Sequence, residues 1–299
     1  MKSILKWLGI ILVGLIGIVA LITVVGYVVS DRRIDKSYAI AVEPVAIPTD
    51  AASLEEGERL TTIRGCNDCH SADFGGKLFL DDPMVGTFST ANLTPGLGSA
   101  TIGFTIEDWD RAIRHGIDVD GKGVLIMPSN EFAVLSDEQL GQIVAYLQTL
   151  SPVDREHTES KLGPLGRALF LMGQLPLLPA EVIDHTVDPP QAVEPTASVE
   201  YGAYMMTTCI GCHQPNLAGG PIPGSAPGDP PSANLTPAGN LANWTLEDFT
   251  FVLRNGVTPE GKALDPLQMP WTLTQHMTDI EIEALWLYLQ SLPPVVPNG

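Results

Sequence analysis

The chain of 299 residues carries 35 acidic against 16 basic side chains, a formal net charge of -19 at pH 7. That balance excludes nucleic acid as a partner, since phosphates need a basic footprint. It favours partners with basic docking faces, although acidic surfaces also serve plain solubility. A hydrophobic content of 44% allows packed cores in two domains of ordinary size, and 29 glycines with 25 prolines predict many loops.

The first element is membrane-like. From Trp7 to Val29 there are 23 residues without a charge, preceded by Lys2 and Lys6. As a helix this run would span roughly 35 Å, enough to cross a bilayer. A secretory signal is the competing reading, with Ala39-Ile40-Ala41 as a small-residue cleavage site. A signal core is shorter, however, usually about 7–15 residues, so a retained anchor over residues 1–30 is expected. Residues 31–52, with Pro44 and Pro48, then read as a tether. Arg32, Arg33 and Lys36 beyond the span rival Lys2 and Lys6 before it, so basic residues set the orientation weakly.

Next comes Cys66-Asn67-Asp68-Cys69-His70, which returns as Cys209-Ile210-Gly211-Cys212-His213. C-x-x-C-H is the attachment signature of c-type haem. Two cysteines a helical turn apart can each form a thioether to a porphyrin vinyl group, and the adjoining histidine is placed to ligate iron. Zinc or a redox dithiol would explain paired cysteines alone, but not the immediate histidine, its repetition and the absence of any other cysteine. Two covalently bound haem c groups follow. Haem c is attached outside the bacterial cytoplasmic membrane, which predicts a single-pass protein with its haem domains on the periplasmic side.

The rest of the chain shows that a whole unit is duplicated. Asn92-Leu93-Thr94-Pro95 returns as Asn234-Leu235-Thr236-Pro237, and Phe104-Thr105-Ile106-Glu107-Asp108-Trp109 as Trp244-Thr245-Leu246-Glu247-Asp248-Phe249. Arg114 and Gly116 match Arg254 and Gly256; Met127-Pro128 matches Met269-Pro270; Tyr146-Leu147-Gln148 matches Tyr288-Leu289-Gln290. Each unit, 53–152 and 198–299, reads as helical. Ser53 and Ser198 are candidate caps for the helix entering each cysteine motif. Thr105 with Asp108, Thr245 with Asp248, Ser136 with Gln139 and Thr278 with Glu281 have capping spacing. Leu140, Ile143, Val144 and Leu147, like Ile282, Leu285, Trp286 and Leu289, form apolar stripes. No strand pattern competes. Both Asn-Leu-Thr sequons precede proline at equivalent positions and read as structural turns. Between the units, 153–197 is a proline-rich linker. Its apolar stretch from Leu162 to Ala180 is interrupted by Pro164, Pro176 and Pro179, and reads as packed over a domain or a haem edge rather than as a second span.

His70 and His213 supply one axial ligand each. Met127 and Met269, in a loop before each last helix, are the candidates for the other, with bis-histidine ligation as the alternative. Met84 rivals Met127, but its counterpart is Ala226. Met205 and Met206 belong to the helix entering Cys209, and His115 and His276 have no repeated partner. Arg114 and Arg254 are candidates for haem propionates, with capping of their own helix ends as the other reading.

Taken together, these motifs resemble those of bacterial membrane-anchored dihaem cytochromes c, and are similar to the cytochrome subunits of alcohol and aldehyde dehydrogenases. The resemblance implies an all-α fold of two tandem cytochrome c-type domains after one N-terminal transmembrane helix, and His70/Met127 and His213/Met269 ligation. The chain departs from those subunits in having two haem motifs where they commonly carry three, and an N-terminal rather than C-terminal anchor. The expected function is electron transfer between respiratory or photosynthetic partners, with no catalysis of its own, in a larger membrane complex. The alternative is a dihaem peroxidase with one open haem; a haem-based sensor ranks last.

Overall fold

A computed structural model gives the fold and describes residues 2–222, 225 and 228–296. Ala226 and the last three residues of the second unit lie outside them. Helix α1 (Lys2–Ile34) runs straight through the uncharged segment into the stretch expected as a tether. It is long and apolar enough to cross a membrane, and none of its most apolar window is buried against the protein.

The first unit contains α2 (Ala51–Ile63), α3 (Cys66–His70), α4 (Ile106–His115), α5 (Ser129–Phe132) and α6 (Asp137–Leu147). α7 (Pro164–Leu171) follows in the linker. The second unit repeats the pattern as α8 (Val199–Met205), α9 (Ile210–His213), α10 (Leu246–Asn255), α11 (Trp271–Thr274) and α12 (Asp279–Ser291). Capping chemistry sets most of the starts. Thr105–Asp108, Thr245–Asp248 and Thr278–Glu281 form full capping boxes, and Ser136 and Ser198 accept from the third helical N–H. α2 is a correction. Its cap is Asp50, whose carboxylate accepts from both the N–H and the hydroxyl of Ser53, so Ser53 sits inside the helix.

Strands are a second correction. β1 (Leu78–Asp82) pairs antiparallel with β2 (Gly86–Ser89), which pairs with β3 (Lys161–Leu162) in the linker. β1 is almost wholly exposed, so it lacks the alternation that reveals a half-buried strand. The mainly helical reading stands around this small sheet.

In each unit the first and last helices cross at a glycine. A Cβ on Gly57 would strike the carbonyl of Gln142 and the Tyr146 side chain; one on Gly202 would strike the carbonyl of Ala284 and Tyr288. The crossing brings Leu60 and Ile63 of α2 onto Leu140, Ile143 and Val144 of α6, within one buried cluster that continues through Tyr201, Met205, Ile282 and Leu285 of the second unit. A smaller cluster of Phe88, Leu162, Phe170, Leu177 and Leu178 joins the sheet and α7 to Ile34, Leu125 and Ile126. Gly57→Ala and Gly202→Ala should each destabilise the chain by at least about 1–3 kcal/mol through overpacking. Thermal unfolding followed by helical circular dichroism checks this; unchanged melting would mean the helices separate freely.

Candidate haem sites

Each cysteine motif forms one short helical turn, α3 or α9, and the residue following each has a positive φ. Gly65, before Cys66, has φ 73°, and Ser71 and Gln214, just after the two histidines, both have φ 68°. The repeated left-handed residue turns the chain away directly after the histidine, which ends the helix there. All four cysteines are half-buried, and no disulfide joins them. Before attachment, burial pushes the Cys66 thiol up to about 12 and that of Cys209 up to about 11, which keeps both neutral.

The histidines are oriented identically. His70 Nδ1 lies 2.8 Å from the carbonyl of Ala91, and His213 Nδ1 2.8 Å from that of Ala233. A carbonyl only accepts, so Nδ1 donates and Nε2 carries the free lone pair. Burial lowers the pKa of both imidazoles, keeping them in the neutral form that a metal ligand requires.

The Asn-Leu-Thr-Pro turns explain why those carbonyls are in place. Asn92 Oδ1 accepts from the N–H and hydroxyl of Thr94, while its Nδ2 donates to Val153 O at 2.7 Å. Asn234 does the same with Thr236 and with Val295 O at 2.8 Å. The turn therefore ties the residue before the asparagine to the segment after the last helix. Thr90 and Ser232 add a hydroxyl bond to Cys69 O and Cys212 O. These turns are structural, as expected from their repetition.

Met127 and Met269 occupy matching loops. Each is half-buried against the same core that holds Cys66 and Cys209. Their carbonyls accept from the residue two ahead, Ser129 and Trp271, across Pro128 and Pro270 with ψ of 55° and 60°. Ile126 before the first methionine has φ 71°, and its N–H donates to Leu177 O in the linker. The glycines of the Arg-x-Gly pairs close α4 and α10 in the left-handed region, at φ 64° and 66°. Gly256 also lets the Trp271 ring approach its backbone. Met84 is exposed and Met205 and Met206 are buried in the core. His115 pairs with His185 at 3.0 Å, and burial lowers it to about 4.

Arg114 and Arg254 each bind carboxylates of their own unit. Buried Arg114 forks onto Asp110 and reaches Asp137 at 2.8 Å; Arg254 reaches Asp279 at 2.7 Å and the carbonyl of Gln275. They brace α4 and α10 against the start of the last helix. Arg64 carries no repeat signal in the sequence, since Thr207 stands at its place in the second unit. It is buried, and its Nε and Nη1 have no hydrogen-bond partner among the described residues. It lies beside Tyr204, with its Nη2 3.9 Å from Met205 Sδ, and its charge acts on Cys66, Cys209 and Glu131.

The two sites are brought together by a pseudo-twofold interface. Two residues beyond each crossing glycine, a polar side chain of one unit reaches the third residue of the other unit's last helix. Arg59 thereby forks onto Glu281 at 2.7 and 2.8 Å, and Tyr204 donates to Gln139. The methionine loops follow the same symmetry. α5 packs on the turn entering Cys209, with Glu131 against Gly211, and α11 packs on the end of α2, with Leu273 against Gly65. Each methionine loop is thus set against the other unit's cysteine motif.

These residues fit a haem in each unit: two thiols a turn apart, an oriented neutral imidazole and a soft thioether on the same core, with one buried cation, Arg64, offering open donors at their junction. The comparisons agree. Residues 52–147 match the family model described as cytochrome c oxidase, cbb3-type, subunit III, and residues 199–293 that of cytochrome c. Over 87% of its length the chain is 28% identical to the cytochrome c subunit of a quinone alcohol dehydrogenase from Gluconacetobacter polyoxogenes, covering 59% of that protein. It is 25% identical to a fructose dehydrogenase cytochrome subunit from Gluconobacter japonicus, over 86% of this chain and 56% of that one. A diheme cytochrome c-type protein of Cereibacter sphaeroides is 26% identical over 80% of this chain and 86% of its own. The chain spans under two thirds of the dehydrogenase subunits it matches. The two matched regions, residues 52–147 and 199–293, are cytochrome c domains, each with one covalently bound haem c, and electron transfer is the role such domains serve.

Glu131, at the junction of the two sites, gives a pH prediction. Burial raises its carboxyl to about 7, with Arg64 opposing. The folded state then holds this proton more tightly than the unfolded chain, whose glutamate titrates near about 4.3. Stability is full below that value and is lost as pH rises through about 7. Glu131→Gln should therefore match the parent at pH 4 and exceed it by up to about 3 kcal/mol above pH 7 in denaturant unfolding. Equal stabilities at pH 8 would show that the carboxylate is solvated.

Proposed function

We propose that this protein is a membrane-anchored dihaem cytochrome c in which His70 with Met127 and His213 with Met269 hold the two irons, and Cys66, Cys69, Cys209 and Cys212 form the thioethers. The observation that carries the reading is the exact repetition of the site: the same Nδ1–carbonyl bond, the same proline turn after the methionine and the same core behind both. A c-type haem supplies one-electron ferric/ferrous chemistry, and thioether ligation favours the ferrous form and raises the potential.

The chain's own residues do the rest. Ala91 and Ala233 carbonyls keep Nε2 unprotonated and aimed. The Pro128 and Pro270 turns hold each thioether without a long flexible loop, and the shared core excludes water. Arg64, with its open donors, places a positive charge at the junction, where it favours a propionate. A histidine and a methionine offered to each iron would leave it no site for substrate, which favours a carrier over a peroxidase. α1 anchors the chain in a bacterial cytoplasmic membrane with the haem domains on the periplasmic side.

The named relatives favour a dehydrogenase as the electron donor, and a net charge of -19 favours a basic docking face on the acceptor. Two measurements test this. The oxidised protein should show the weak far-red charge-transfer band of methionine sulfur on ferric haem at an intensity for two haems, and Met127→Ala and Met269→Ala should each remove half. Intensity for one haem, with peroxide turnover, would make the protein an enzyme. Electron transfer to a basic cytochrome should slow as salt rises from about 10 mM to 150 mM, over which the screening length falls to about 8 Å; a flat profile would remove acidic steering.

A further inference from the structure

α7 presents an apolar face that no described part of the chain covers. The helix has no acidic residue, and its one charge, Arg167, turns to α1. There it bonds Ser30 Oγ, Asp31 and the carbonyl of Tyr27, and its guanidinium lies 4.2 Å over the Tyr27 ring. Arg33 of α1 answers from the other side, 4.1 Å over the buried Phe170 ring and forked onto Glu181. Every charge in this joint is therefore balanced by its neighbour. What remains outward is Leu165, 43% exposed, Ala168, and Met172 at the helix end, 63% exposed. Steps of three and four residues put them on one stripe.

The place of this stripe relative to α1 gives it meaning. Leu171 Cδ1 lies 3.9 Å from where a Cβ on Gly26 would stand. Gly26 is three residues inside Val29, the end of the uncharged run, or about 4–5 Å inward along the helix axis. The end of α7 is thus level with α1 where α1 is still apolar on all sides. Interfacial helices rest with their apolar face about 5–10 Å into the boundary between headgroups and acyl chains. Met84, exposed on the hairpin, extends the apolar surface, its carbonyl accepting from Leu165 and Gly166 at the start of α7.

We propose that α7 is a second membrane contact, seating Leu165, Ala168 and Met172 in the headgroup–acyl boundary of the bilayer that α1 crosses. This rests on the anchor reading of α1. The linker then acts as a foot. It holds the first haem domain against the membrane through β3 and the cluster around Phe170.

Cysteine accessibility in the full, haem-loaded chain tests this, because the four native cysteines are then thioethers. Leu165→Cys, Met172→Cys, Val19→Cys and Leu267→Cys would be placed in nanodiscs of phosphatidylcholine and phosphatidylglycerol and alkylated with a charged maleimide, read by mass. An unchanged haem spectrum confirms folding. Only thiolate reacts, and low dielectric suppresses it, so residues 165 and 172 should react at least about tenfold more slowly than residue 267, as should residue 19. If either residue 165 or 172 reacts as fast as residue 267 while residue 19 is protected, lipid is the wrong occupant and a protein partner or water covers this face. If residue 19 is also fast, the anchor reading and this proposal fall together.

Discussion

The structure depends on one hydrogen bond made twice, from the histidine of each cysteine motif to the carbonyl just before an asparagine. It selects the tautomer, points Nε2 away from the backbone and fixes the ring plane, so the local chemistry of the site follows from a carbonyl 20 or 21 residues along the chain. That carbonyl stays in place because the asparagine side chain bonds forward to its own threonine and across to the strand of chain leaving the last helix. The helix crossing at Gly57 and Gly202 then fixes the last helix itself. Histidine, turn and helix crossing are one mechanical chain in each unit.

Duplication gives the molecule a pseudo-twofold joint, and the joint is built from positions that differ chemically but coincide in space. Arg59 and Tyr204 stand at the same place, as do Glu281 and Gln139, so one half of the joint is an ion pair and the other a neutral bond. The Arg59–Glu281 pair is the more demanding. Glu281 is 1% exposed, and removing its partner would leave a buried carboxylate. Arg64 and Glu131 break the symmetry further, concentrating charge on one side of the junction.

The linker is where the two units cease to be equivalent. It supplies β3, the Leu177 carbonyl that holds the backbone before Met127, and α7 against α1. The first methionine loop is therefore braced by a segment that has no counterpart around Met269. The same segment couples that loop mechanically to the end of the N-terminal helix through Ile34, Phe170 and Ile126.

Much of this was legible in the residues themselves. The cysteine motifs, their offset of 143, the capping boxes and the paired Met-Pro turns specify two copies of one helical unit, because covalent attachment and capping act within a few residues. The long uncharged run is likewise local, since spanning length depends on composition alone. What needed the tertiary structure were properties made by contact. β1 is an exposed strand without alternation, Asp50 displaces Ser53 as a cap, and Arg114 and Arg254 find carboxylates that lie elsewhere in space or sequence. Arg64 has no repeated counterpart to advertise it, and its burial with open donors exists only once the two units pack. The sequence by itself determined which groups each unit holds, because those signals are short-range. Tertiary structure decided how the sites face one another and which apolar helix is left uncovered, because burial is a property of the whole fold.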